Sequence, residues 1–181
     1  MFGLLVKKKL DCNQLANVFV NSLIEAVESG FPDIAEMIND DPAFIHHPGI
    51  DSASADHFIL IALVGNLRYL DDHFEPDDAR EIRIKIIEKF AAVYDMSPAE
   101  FHKIIAEHDA FVSRVNHPSK NTLYGMSKAL FHKLNLNEFQ ESYFKSMRAP
   151  NPLFLKRMDE VMMNYLWDWD AFFKKHKLQS I

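Results

Sequence analysis

Histidine is the residue type with the widest chemical scope in this chain, and nine of them are scattered along it. A helix presents residues three or four apart to one point, so a local metal site needs a carboxylate or second histidine at that spacing. No Asp or Glu stands three or four positions before any histidine, and no two histidines share that spacing. Looking forward, the matches are Asp51 after His47, in a loop, and Asp77 after His73, across Pro76. No metal ligand is therefore assigned. The pair His46-His47 lies in a proline-bounded loop and reads as plain surface.

The densest acidic run is Asp71-Asp72-His73-Phe74-Glu75-Pro76-Asp77-Asp78. Five carboxylates and one imidazole could attract a divalent cation weakly. An EF-hand loop needs alternating acids, a central glycine and a distal glutamate, which this run lacks. It reads instead as a solvated corner between helices, with acids complementing a helix N-terminal dipole. The chain holds five glycines, no two close together, so neither a phosphate-cradling loop nor a dinucleotide fingerprint is present. No Gly-x-Ser-x-Gly elbow occurs. The one cysteine, Cys12, excludes an internal disulfide or a zinc site of several thiolates. No catalytic residue is named, and the balance leans against an enzyme.

Acidic residues outnumber basic ones 26 to 20, a net charge of −6 with histidine neutral. Nucleic acid would demand a basic face, so it is not expected as a partner. The most apolar stretch, Phe58 to Val64, is far shorter than the ~20 residues that span a bilayer. The opening residues, MFGLLVKKKL, place the apolar piece before the charge, the reverse of a secretory leader. A cytoplasmic location is the expectation.

The elements that position these residues read as helices throughout. Asp11 and Gln14 form a capping box for a first helix over 12–29, which Gly30 is placed to end. Pro32 then suits the first position of a short second helix to Asn39. The third helix, over 55–74, is apolar on nearly every side and therefore central and buried. Gly65 within it implies close approach by a neighbour. A fourth helix runs 76–94. Ser97-Pro98-Ala99-Glu100 is a strong start signal for a fifth, to 115. Further helices are expected over 120–134, over 138–148 with an Asn137/Gln140 box, and over 152–175, capped by Asn151. The last is the longest. The architecture expected is all-α: a single globular domain of about seven or eight mostly antiparallel helices.

Two residues sit oddly on these helices. His108 falls within the apolar face formed by Phe101, Ile104, Ile105, Phe111, Val112 and Val115. It faces the core as a satisfied histidine, or it anchors a ligand. In the second reading His108, Phe111 and Phe101 line a pocket for a small apolar ligand, haem-like groups included. His132, by contrast, projects away from Leu123, Ser127, Leu130 and Leu134 and reads as surface. On the last helix, Trp167 and Met163 fall opposite the apolar arc of Phe154, Met158, Met162, Tyr165 and Trp169. An exposed Trp beside an exposed Met is a candidate interface, unless a segment such as Phe2–Val6 covers it. The function expected first is a non-enzymatic interaction or accessory module, with a protein partner or self-association. Apolar-ligand binding near His108 is the alternative. A helical enzyme with carboxylate and histidine ligands gathered from separate helices is third. No cofactor is assigned.

Overall fold

The structure is a computed structural model, and it describes residues 7–179. The fold is all-α apart from one short strand pair. In order, the elements are β1 (Lys8–Leu10), α1 (Cys12–Asn39), α2 (Asp56–Arg68), α3 (Leu70–His73), α4 (Pro76–Val93) and α5 (Pro98–Asn116). Then come α6 (Thr122–Lys133), a 3-10 turn (Leu136–Phe139), α7 (Ser142–Met147), α8 (Pro152–Met163), α9 (Trp169–Lys175) and β2 (His176–Leu178). No helix among the described residues is long and apolar enough to cross a membrane.

The described residues fall into two compact units. One holds the described residues up to Ser22, Asn66–Ile104 and those from Trp167 onward. The other holds Leu23–Gly65 and Ile105–Leu166. In the first unit, Ile82, Ile86 and Phe90 form the buried stripe of α4. Phe90 stacks on Phe101, and Trp169 gathers Phe19, Phe74 and Phe173 around it. β1 and β2 pair in parallel, Lys8 opposite His176 and Leu10 opposite Leu178. These strands are not visible as a pattern in three residues each. In the second unit, Phe31, Ile34 and Ile38 of α1, Phe58 and Ile61 of α2, Leu130 and Phe131 of α6, and Phe154 and Met158 of α8 are buried.

The local signals hold where they are reciprocal. Asp11 N–H donates to Gln14 Oε1 and Gln14 N–H to Asp11 Oδ1, 3.1 and 2.7 Å. Ser97 and Glu100 do the same at α5, and Asn151 caps α8 through Leu153 N–H. These bonds satisfy donors that a helix start leaves orphaned.

Four boundaries differ from the expectation. The helices over 12–29 and 32–39 are one, α1, with Pro32 inside it. Proline forfeits a hydrogen bond to the carbonyl four residues back. Pro32 and Glu28 are both exposed, so the lost bond lies on the solvent side, and the apolar face continues inward through Phe31, Ile34 and Ile38. Gly30 therefore does not end a helix. It lies mid-helix because Tyr165 packs onto it: a Cβ there would overlap the phenol oxygen. The central helix ends at Arg68, and Leu70–His73 is a separate turn; within α2, Gly65 makes room for Met126 of α6, as its position implied. The helix over 138–148 is instead the 3-10 turn and α7, since Gln140 turns its amide to other work described below.

The long helix over 152–175 is the fourth correction. It breaks between Met163 and Trp169. Asp168 caps a fresh helix, accepting from Ala171 N–H at 2.8 Å, and Trp167 N–H donates to Asn66 Oδ1 at 2.7 Å. The break turns every side chain after Met163 away from the direction a continuous helix would give it.

Candidate functional site

Of the three residues expected to line a pocket, Phe101 lies in the first unit, and His108 and Phe111 lie in the second. Phe101 is buried in a stack between Phe90 and Tyr94. Phe111 is half-buried, with Lys133 Nζ 4.7 Å and Arg114 Cζ 5.1 Å from its ring centre. Two cations take the ring that was to line an apolar pocket. His108 is half-buried, with the His57 ring 6.4 Å away. Burial, then Lys133 and His108, hold the His57 imidazole below its ordinary pKa.

Met163 is exposed, as the interface expectation requires. Trp167 is half-buried: its ring meets Phe19 at 5.6 Å, Trp169 at 5.9 Å and Phe172 at 5.7 Å, and its Nε1 is buried. The helix break is the reason, since wheel positions lose meaning across it. The segment Phe2–Val6, expected as a cover, lies outside the described residues.

The acidic corner borders an open hollow of about 1150 Å³ in the first unit. Asp71, Asp72, Glu75 and Asp78 line it together with Lys7, His73, His176 and Lys177. The two signs face each other, and Asp71 pairs with Arg83 at 3.2 Å. Among the described residues, no group of three His, Cys, Asp or Glu side chains is placed to hold a metal ion.

A second cleft, of about 420 Å³, lies in the other unit. Its polar lining is Tyr124, Lys128 and His132 of α6 and Arg148 at the end of α7. Apolar lining comes from Val115, Phe144 and Leu155, with Met147 at α7. The α6 residues at 124, 128 and 132 recur every four positions and so share one face. His132 is accordingly half-buried here, not a surface residue, because the chain between α7 and α8 lies over that face. Burial, then Lys128, keeps its imidazole below the ordinary range.

One buried amide builds this cleft. Gln140 donates through Nε2 to Ala149 O at 2.9 Å and accepts at Oε1 from Asn151 N–H at 2.7 Å. It thereby fixes the Arg148–Ala149–Pro150 segment. Arg148 itself takes a left-handed conformation, φ 51°, ψ 35°, which glycine adopts far more cheaply.

Two further polar contacts were not foreseen. Arg157 of α8 grips Asp41 through Nε and Nη2, and the Asp41 side chain is only 1% exposed. Ser127 Oγ donates to Asp159 Oδ1 at 2.5 Å, joining α6 to α8. Ser127 is completely buried, so no substrate reaches its hydroxyl. Spacing on α6 could have suggested the Tyr124–Lys128–His132 face. Nothing in one sequence pairs residues 116 apart, as Asp41 and Arg157 are.

No known family model, curated protein or solved structure matches this chain.

Proposed function

We propose that this chain is a non-enzymatic interaction module of the cytoplasm that self-associates through the α7 surface. The observation that carries the reading is that α7 buries none of its own residues. Tyr143 and Met147 stand on it four positions apart, 64% and 51% exposed, and Leu153 at the start of α8 is 64% exposed. Each is already partly covered, so covering the rest is worth about 1–2 kcal/mol per side chain. Exposed charges suited to a polar rim, Glu138, Glu141 and Lys145, lie on the same stretch of chain. A second copy is the natural partner, because an apolar patch is its own complement across a two-fold axis.

The test is sedimentation velocity on the full chain from micromolar to near-millimolar concentration. Dimerisation is expected, and a Tyr143→Glu/Leu153→Glu variant with the parent's helical circular dichroism is expected to stay monomeric. A parent that remains monomeric throughout, or a variant that dimerises as the parent does, refutes the reading.

A further inference from the structure

The α6–α8 cleft carries a charge pattern at odds with the chain around it. The protein is acidic overall, with a net charge of −6, yet no Asp or Glu lines the cleft, while Lys128, His132 and Arg148 do. Neither Lys128 nor Arg148 has a carboxylate at ion-pair distance among the described residues. Lys128 is half-buried and already held in place. Its Nζ donates to Val115 O at 3.2 Å and rests 4.8 Å from the centre of the Tyr124 ring. One of three ammonium hydrogens is spent, and two remain.

Arg148 is the second sign. A left-handed residue ending a helix is ordinarily glycine or asparagine, and a long charged side chain there is strained. The buried Gln140 amide holds the segment in that conformation. Burial, then Lys128, disfavours the charged form of His132, whose ring nitrogens add hydrogen-bonding capacity to the cleft. The remaining wall is apolar: Leu155 is buried and Phe144 half-buried. A volume of 420 Å³ sits within the ~300–1000 Å³ of small-molecule sites, which are mostly apolar with a few convergent polar groups.

We propose that this cleft binds a small organic carboxylate with an apolar body, its carboxylate held by Lys128 and Arg148 and its body against Leu155 and Phe144. The site shares Met147 with the docking surface, but Tyr143 and Leu153 are not part of its lining, so variants there test the docking reading alone. The experiment is isothermal titration of the full chain with decanoate, below its self-association concentration, beside decanol and inorganic phosphate. Decanoate is expected to bind once per chain and about tenfold or more tighter than decanol, the worth of one charge-assisted hydrogen bond. Phosphate is expected to bind no more tightly than decanol.

Two variants decide whether the residues do this. Lys128→Met and Arg148→Gly are each expected to weaken decanoate about tenfold or more. Arg148→Gly should melt no lower than the parent, since glycine relieves the left-handed strain. A purely structural arginine would show the melting result without the binding loss. Tyr143→Glu should leave decanoate binding unchanged, which separates failure here from failure of the docking surface. Equal affinity for decanoate and decanol, phosphate binding as tight as decanoate, or parent-like binding in both variants overturns the proposal.

Discussion

Replacing Arg157 with Met should be among the most damaging single changes to this protein that leave its apolar core intact. Asp41 stands two residues beyond the end of α1, and its carboxylate is 1% exposed while the Arg157 side chain is 35% exposed. The guanidinium makes two bonds to it, and Asp41 Oδ1 also accepts Ala43 N–H at 2.9 Å. The hydrogen bonds to Asp41 hold the guanidinium above its ordinary pKa, against the opposing effect of burial. Removing the cation strands a buried carboxylate with one neutral donor. Breaking a buried pair costs about 3–5 kcal/mol. The partial exposure of Arg157 argues for the lower end, about 3 kcal/mol. For a chain of this length each kcal/mol moves the melting point by about 2–4 °C, so a fall of about 6–12 °C is expected. Asp41→Asn keeps the shape and the Ala43 bond and leaves a cation that reaches water, so it should cost about half as much. Arg157→Met/Asp41→Asn should then be more stable than Arg157→Met alone. Urea unfolding followed by circular dichroism gives the four free energies of the cycle. A loss below about 1 kcal/mol for Arg157→Met, or no recovery in the double variant, refutes the argument that the stranded charge is what hurts.

Two further outcomes follow from contacts already described. Gly30→Ala should destabilise by about 1–2 kcal/mol despite alanine's better helix propensity, because the new methyl overlaps the Tyr165 hydroxyl; the same change in a Tyr165→Phe background should be neutral or better, and an equal cost in both backgrounds would sink the explanation. Burial raises the Asp159 pKa more than its Ser127 bond lowers it, so the folded chain keeps that proton to higher pH than the unfolded one. Its contribution is full below about pH 4 and is lost as pH rises through the raised folded value. The stability of Asp159→Asn relative to the parent should therefore grow with pH across that window, as denaturant midpoints would show, and parallel profiles would refute it.

What was legible in the sequence is what is local. The capping boxes at Asp11 and Ser97 are readable because both partners lie within one turn. The all-α class is readable because the apolar periodicity runs through most of the chain. The errors share a cause as well. Gly30-Phe31-Pro32 looks like a break by composition, but three buried side chains beyond it hold the helix together, and tertiary burial outweighs a proline whose lost bond faces water. The long helix from 152 failed in the opposite way. Its apolar pattern continues across Leu166–Asp168, yet Asp168 is a good N-cap and Asn66 captures the Trp167 N–H. Asn66 is 101 residues away, and no window of sequence contains both. The wheel that set Trp167 outside assumed a continuity that this bond removes.

The same distinction sorts the polar residues that cost stability. Asp159 is partly desolvated, but its partner Ser127 has no exposed surface, so that pair ties two helices and offers nothing to a solute. Asp41 is sealed and its cation is consumed in binding it. Arg148 differs from both. It is exposed, no carboxylate is at ion-pair distance among the described residues, and its backbone stands in a conformation that glycine would hold at lower cost. That conformation lets its N–H close the end of α7 onto Lys145 O and Phe144 O, so the binding reading rests on the side chain's place in the cleft. Lys128 meets the same standard, lining the same cleft with two free donors and an aromatic ring fixing its position. The proposed ligand site accordingly rests on those two cations.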